Sequence, residues 1–484
     1  MLSYRKLAMR VLGRPLHTGG GGIDSPRPAS QRAAAFILTA AMLITLTAPA
    51  FAETWYIENG DITVKASGTE GKNTVSQGNK KDVEDTNTII TNQNQDKASS
   101  HTVTIDANDK NDKVEVTLKD VNIDTSSRNK AAVSVTGSGN TTIKLDGDNA
   151  LKSDTYRSGI YGSGSLTISG GENDSLTAQG GSGANGISSS GSLTISGGTV
   201  TANGGNGGYG IYSSGVTISG GTITANGGSG KDGSGDGIFS FDPVAISGGT
   251  VTAKGGSGED GEDGGDGIRS FDPVAISGGT VTAKGGSGED GSGGRGIIST
   301  KSVTISGGTV NANGGSGKNG NGGNGIIGSG RVAISGGTVN AAGGDGGNGK
   351  DGGDGIRSGG IDLSGSLELT AKAGSPNGKA LSQNGKELDL NAIKDKLGPG
   401  AKVTVTDANG ETKQVSIPRP VEPEKPVIPE ESSSSSDGGS SAPSAPASSL
   451  PGLTVTDKSG AVISYTSTQS GNTLTVCVGR FTAS

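Results

Sequence analysis

The sequence predicts an all-β fold, a right-handed, single-stranded parallel β-helix (a β-solenoid) built from three-strand coils of about 29 residues. Two observations predict it. The chain holds 92 glycines and only 3% aromatic residues, and its glycines lie in blocks between short apolar segments. A unit of the form Val-Thr-Ile-Ser-Gly-Gly-Thr-Val-Thr-Ala also recurs through the centre. Because so small a unit cannot bury its own apolar face, its copies must stack, at about 4.8 Å per coil. Parallel crossovers are right-handed as a rule.

Two landmarks define the repeat. A Ser-Gly-Gly triplet begins at Ser169, Ser196, Ser219, Ser247, Ser277, Ser306 and Ser335. A Gly-Ile pair places isoleucine at Ile160, Ile187, Ile211, Ile238, Ile268, Ile297, Ile326 and Ile356. Around both landmarks apolar and polar residues alternate, as a strand with one buried face requires. The glycine pair permits the positive φ angle of a sharp corner. The period is too short for a β-propeller blade, and the leucine-rich repeat skeleton does not occur.

The repeat divides the chain into six segments. We predict a signal peptide at 1–52, irregular coils and a cap at 53–159, regular coils at 160–371, a cap with a short helix and a hairpin at 372–417, a Pro/Ser-rich disordered linker at 418–449, and a short β-rich, truncated-looking tail at 450–484. A cap is expected because an open last coil would invite edge-to-edge association.

The first segment indicates export. Basic residues precede an apolar run from Ala33 to Leu46, and Ala50-Phe51-Ala52 follows as a cleavage site. A membrane-anchoring helix is the alternative, since the run is nearly long enough to span a bilayer. We expect a secreted or extracellular protein, associated with the cell surface or free, and with no stable membrane insertion after cleavage.

Charge and residue usage exclude several kinds of function. The net charge of −7 does not attract nucleic acid. Cys477 is the only cysteine, and His17 and His101 are the only histidines, so a cysteine-built metal site and His-based catalysis lack their residues. Outward strand positions carry Thr, Ser and Ala where catalytic carboxylates would stand. The sequence therefore predicts a protein that is not an enzyme.

One column of residues is the candidate binding face. The residue after each Gly-Ile points outward, and aromatic and arginine side chains recur there. The predicted carbohydrate-binding residues are Tyr161, Tyr212, Phe239, Phe241, Arg269, Phe271 and Arg357. Exposed aromatic rings stack on sugars, and arginine pairs with the carboxylates of uronic acids. The alternative is that the long glycine loops cover this face.

Acidic residues in the glycine loops raise the question of a cation. In stacked coils Glu259 lies near Glu289 and Asp260 near Asp290, and like charges opposite each other are destabilising. The candidate metal-binding residues are Asp236, Glu259, Asp260, Asp266, Glu289 and Asp290. Calcium suits carboxylate and carbonyl oxygens in such loops. A solvated acidic loop without metal is the alternative.

Several segments carry a family resemblance. They are Val116–Ile123, Ala132–Asn140, Thr142–Asn149 and the Thr-Ile-Ser-Gly-Gly-Thr-Val-Thr-Ala units. Residues 53–415 resemble a family of bacterial extracellular carbohydrate-binding domain-containing proteins. The resemblance implies a right-handed β-helix that binds acidic or cellulosic polysaccharide, with calcium among the coils. A structural or adhesin-like stalk that presents another region is the second hypothesis, and a polysaccharide lyase or hydrolase is the third.

Overall fold

The computed structural model describes residues 53–68, 71–231 and 233–419, and two strands near the C-terminus. It is nearly all β, with stacked parallel coils of about 28 residues that form a β-solenoid of about 10 turns. The predicted fold class is therefore confirmed. The predicted signal peptide and most of the predicted linker lie outside the described residues. In the described part of the chain, no helix is long and apolar enough to cross a membrane.

The first strand of each coil pairs with the first strand of the next coil to make the first-strand column. Pairing is parallel and in register from coil to coil. Its strands are Ile62–Ala66, Val103–Asp106, Val133–Thr136, Ile160–Gly162, Ile187–Ser189, Ile211–Ser213, Ile238–Ser240, Ile268–Ser270, Ile297–Ser299 and Leu381–Gln383.

A second-strand column runs beside the first. Its strands are Thr54–Tyr56, Ile89–Thr91, Lys113–Lys119, Asn140–Asp146, Ser165–Ser169, Leu193–Ile195, Val216–Ile218, Val244–Ile246, Val274–Ile276 and Ser302–Ile305. Two long strands, Ile326–Ile334 and Ile356–Leu363, pass through both columns, which join them into one sheet of 25 strands with the capping strands.

The third-strand column is a separate sheet of 12 strands. Its strands are Asn122–Asp124, Asp148–Lys152, Ser175–Gln179, Thr199–Asn203, Thr222–Asn226, Thr250–Lys254, Thr280–Lys284, Thr309–Asn313, Thr338–Ala342, Glu368–Lys372, Lys402–Thr406 and Thr412–Ser416. The turn into it uses the second glycine of each Ser-Gly-Gly triplet. From Gly198 to Gly337 this glycine has a φ of 77° to 85°, a conformation that L side chains rarely adopt.

The core is a set of like-on-like stacks. Ile246 pairs with Ile276, and Ile276 with Ile305, as the spacing of the repeat predicts. All three side chains are at most 1% exposed. The serine that ends many first strands also points inward, and its hydroxyl donates to a carbonyl of the preceding coil; Ser240 Oγ lies 2.8 Å from Ser214 O. Small aliphatic side chains and satisfied hydroxyls therefore fill the narrow interior.

The glycine loops form an ordered layer, which we call the glycine ladder. Gly265 N donates to Gly256 O in its own coil, and Gly286 N donates to Gly265 O of the preceding coil, both at 2.8 Å. The zigzag continues through Gly294 and Gly315. A Cβ added to Gly286 would lie 1.8 Å from Gly256 O, so this layer has room only for glycine.

Antiparallel strands lie at both ends of the solenoid. At the N-terminal end, Asn73–Gln77 pairs with Ile62–Ala66, and Lys80–Asp85 pairs with Asn73–Gln77. At the other end, Lys386–Glu387 and Thr412–Ser416 pair antiparallel with the last parallel strands. Short 3-10 helices span Ile57–Asn59 and Leu390–Lys396, the second where the sequence predicts a short helix.

After residue 419, the structure describes only an antiparallel hairpin of Tyr465–Ser470 and Thr473–Val478. The second strand contains the alternating Leu474-Thr475-Val476 that predicts a strand there.

Candidate functional site

The outward residues of the first-strand column form one line along the solenoid. Tyr161 pairs with Ser188, Ser188 with Tyr212, and Tyr212 with Phe239. The line continues through Arg269 and reaches Arg357 three coils later. We call this surface the binding face. Phe241 and Phe271 lie two residues beyond the line, on the same side of their coils.

Five rings meet on the binding face. This aromatic cluster consists of Tyr209, Tyr212, Phe239, Phe241 and Phe271. Tyr212 and Phe239 stack with centroids 5.3 Å apart and ring planes at 9°. Phe241 and Phe271 meet Phe239 edge-on, at 5.1 and 5.5 Å. These are the offset and T-shaped arrangements that aromatic quadrupoles favour.

The cluster is partly open to solvent. Phe239, which contacts all four other rings, is 6% exposed, while Phe241 is 42% and Phe271 38% exposed. Tyr209 and Tyr212 are half-buried. Phe239 is therefore buried and packs against the neighbouring rings, while Phe241 and Phe271 are exposed to solvent.

Arg269 joins this cluster to a buried carboxylate. Its guanidinium lies 5.9 Å from the Phe239 centroid and 5.7 Å from the Phe271 centroid. Arg269 Nη1 also lies 3.7 Å from Asp266 Oδ2, and Arg295 Nη1 lies 3.4 Å from the same oxygen. The Asp266 side chain is 2% exposed, whereas those of both arginines are about 40% exposed. Burial raises the pKa of Asp266, and the charge of Arg295 opposes that shift.

Asp236 lies one coil before Asp266. Its Oδ1 accepts the Asp266 backbone N–H at 2.6 Å, and Asp266 Oδ1 accepts the Arg295 N–H at 2.7 Å. Asp236 Oδ2 is buried and has no hydrogen-bond partner. Burial, and then the charge of Asp266, raise the pKa of Asp236 to about 7. These two predicted metal ligands thus carry backbone hydrogen bonds between coils.

The other predicted metal ligands are exposed and spread along the loops. Asp260 pairs with Lys231 at 3.0 Å, Glu289 with Lys318 at 2.7 Å, and Asp290 accepts from Asn319 at 2.5 Å. Glu259 is exposed too. Within the described ranges, no group of three or more His, Cys, Asp or Glu side chains is placed to hold a metal ion. The side chains do not converge as a calcium site requires, and calcium stays a prediction.

Two clefts contain the outlying predicted residues. Tyr161 lines a cleft of 720 Å³ together with Tyr156, Arg157 and Lys130. Arg357 lines a cleft of 330 Å³ with Arg295 and Lys379. Tyr161 is two coils, about 10 Å, from Tyr212, and Arg357 is three coils, about 14 Å, from Arg269. The binding face therefore has an aromatic centre with a cleft on either side, and the cleft at Arg357 is lined by Asp351 and Asp354 as well as by basic residues.

Sequence reasoning missed Tyr209, Tyr156 and Arg157. Tyr209 occupies the position before Gly-Ile that Asp236 and Asp266 occupy in later coils, and this column could have placed it beside the candidate face. Tyr156 lies in a loop that is shorter than most of the later glycine loops, so the repeat offers no position for it.

No curated protein and no solved structure matches the chain. A family model described as "Carbohydrate-binding domain-containing protein" matches residues 95–352, more than half of the chain and all of the aromatic cluster. The chain therefore belongs to the family of carbohydrate-binding domain-containing proteins.

Proposed function

We propose that the protein is a non-catalytic, secreted or cell-surface polysaccharide-binding protein whose ligand lies on the binding face. The observation that carries this proposal is the partly exposed aromatic cluster, which spans three successive coils and has Arg269 between its rings. Aromatic faces pack on the apolar face of a sugar ring. Family membership supports a carbohydrate ligand.

Two arginines beside the aromatic cluster suit an acidic polysaccharide. Arg269 and Arg295 share one strongly buried carboxylate partner, Asp266, and both remain open to solvent. A guanidinium can bind a uronate carboxylate through two parallel hydrogen bonds. A cellulosic chain would use only the rings.

The two buried carboxylates beside the aromatic cluster are not placed to act as the acid and base of a glycoside hydrolase. Glycoside hydrolysis needs two carboxyl groups that reach the sugar from the site. Beside the aromatic cluster, Asp236 is 3% and Asp266 1% exposed, and both carry backbone hydrogen bonds. Neither carboxylate is free to approach a glycosidic bond.

The test is binding of the purified full chain to immobilised polygalacturonate and to cellulose, with calcium and with chelator. We expect saturable binding to polygalacturonate. Phe241→Ala with Phe271→Ala should weaken it about thirtyfold, since each exposed ring lost removes on the order of 1 kcal/mol. Retention measured by affinity electrophoresis reports the change.

The matched control is Tyr56→Ala. Tyr56 is 37% exposed but belongs to the second-strand column, so its loss should leave retention unchanged. If neither polysaccharide retains the wild-type protein, and its circular dichroism spectrum is still that of a β-solenoid, the result would argue for a structural stalk instead.

A further inference from the structure

The cleft beside Tyr161 has the features of a ligand site. Tyr156 is 77% and Tyr161 45% exposed. Hydroxyl and amide side chains line the rest of the cleft, among them Asn129, Ser134 and Ser188. In the described part of the chain, no acidic side chain lines it. Two exposed aromatic rings beside many hydrogen-bonding groups are suited to binding a sugar.

The backbone holds Tyr156 in an unusual conformation. Its φ is 58°, in the left-handed region that a bulky residue rarely adopts. Tyr156 N donates to Ser182 O at 2.8 Å, which fixes the turn. The ring lies against Gly183, where an added Cβ would come within 2.8 Å of it. Such strain is held by its surroundings and tends to mark functional positions.

Arg157 is held at the rim of the same cleft. Arg157 Nε donates to Asn129 Oδ1 at 3.0 Å, and Asn129 is itself left-handed, with a φ of 51°. Lys130 lies beside them, with Nζ 3.3 Å from Asp61 Oδ2. The cleft therefore has a preorganised polar rim as well as aromatic walls.

The cleft adjoins the aromatic cluster along the solenoid axis. Ser188 lines the cleft and pairs with Tyr212 of the next coil. Asn185 also lines the cleft, and its Oδ1 accepts the Tyr209 N–H at 2.9 Å. From Tyr161 to the coil of Phe271 is four coils, about 19 Å.

We propose that this cleft is a second sugar-binding subsite, and that one extended glycan chain running along the solenoid axis occupies the cleft and the aromatic cluster together. The inference rests on the proposed function. Two linked subsites act at high effective concentration, so affinity rises steeply once a chain can cover both. The affinity then depends on the length of the glycan as well as on the type of sugar.

The test is the dissociation constant of the full chain for oligogalacturonides and cello-oligosaccharides of increasing length, measured by calorimetry. The longest oligomers should bind roughly a hundredfold more tightly than disaccharides. Tyr156→Asn should reduce this ratio about tenfold. Asparagine tolerates the left-handed backbone, so the variant removes the ring without adding strain. Tyr56→Ala, away from the binding face, should leave the ratio unchanged.

The outcomes separate the two proposals. If neither series binds at any length, the proposed function fails and the second subsite fails with it. If oligomers bind with equal affinity per site at all lengths, or if Tyr156→Asn leaves the ratio unchanged, the second subsite is wrong and the aromatic cluster acts alone.

Discussion

The carboxyl group of Asp236 links two adjacent coils, and its burial there disfavours the charged form. Its Oδ1 accepts a backbone N–H of the next coil, while its Oδ2 has no partner. Asn185 and Asn324 accept the equivalent N–H with uncharged amide oxygens, from Tyr209 and Asp354. The hydrogen bond between coils therefore needs an oxygen at this position but no charge.

Asp236→Asn should stabilise the protein at alkaline pH. The pKa of Asp236 is raised from 3.8 to about 7 in the folded chain. Between these values the folded chain keeps a proton that the unfolded chain has lost, so wild-type stability falls as pH rises through this window. The variant lacks this loss and keeps the acceptor oxygen. At pH 8 its free energy of unfolding should exceed that of wild type by on the order of 4 kcal/mol.

Urea unfolding at pH 8 and at pH 4.5 measures the effect. The advantage of the variant should shrink at the lower pH, where wild-type Asp236 is protonated when folded. Glu262→Gln, an exposed carboxylate in a neighbouring loop, is the control and should change little at either pH. Equal stability of wild type and Asp236→Asn at pH 8 would contradict the burial argument.

At the scale of elements, the sequence predicts strands better than loops. Period-two alternation and the Ser-Gly-Gly triplet predict the stacking of Ile246 on Ile276, because each unit offers only one apolar face. The same reasoning treats the glycine blocks as loops, since glycine carries no side-chain pattern. Their hydrogen bonds run between coils, from Gly286 N to Gly265 O for example, and appear only once coils are stacked.

Some residues of the candidate site can likewise be predicted from the repeat, and others cannot. The line from Tyr161 to Arg357 follows from the repeat and is predictable residue by residue. Tyr156 lies in an irregular loop, and Asp236 is buried by neighbouring coils, so tertiary packing decides both.

The glycine ladder makes a prediction at this scale. Gly286→Ala would place its Cβ 1.8 Å from Gly256 O, so the backbone must shift and stability should fall by about 2 kcal/mol or more. Gly360→Ala is the matched control, because its Cβ would meet nothing closer than 3.8 Å. Thermal unfolding of both variants provides the comparison. If both substitutions lower the melting temperature equally, the glycine ladder is packed less tightly than its interatomic distances indicate.

At the scale of the whole solenoid, we expect the capping strands to limit association. Parallel coils end in unpaired backbone groups that can pair with another chain. Here antiparallel strands cover edges at both ends, and Thr412–Ser416, with mostly exposed side chains, covers the third-strand column.

A chain ended after Ala373 should therefore associate. It loses Lys386–Glu387 and the hairpin of Lys402–Thr406 and Thr412–Ser416, which leaves both sheets open at the C-terminal end. Light scattering after size-exclusion chromatography should show larger species that grow with concentration. A chain ended after Arg419 keeps the caps and should elute with the full-length protein. Identical elution of both truncated chains would show that the caps do not govern association.

The in-register coils also bear on how such a chain can grow. Residues 240–261 and 270–291 have identical sequences, and each stretch contains one exposed phenylalanine, Phe241 or Phe271. Since every coil bonds only to the coil before and the coil after it, duplication of one coil adds a layer without disturbing any other contact. Such a duplication would also copy an exposed aromatic ring. An ancestral chain could thus lengthen the proposed binding face one layer at a time. Unequal recombination within its own gene would suffice, without new binding residues having to evolve.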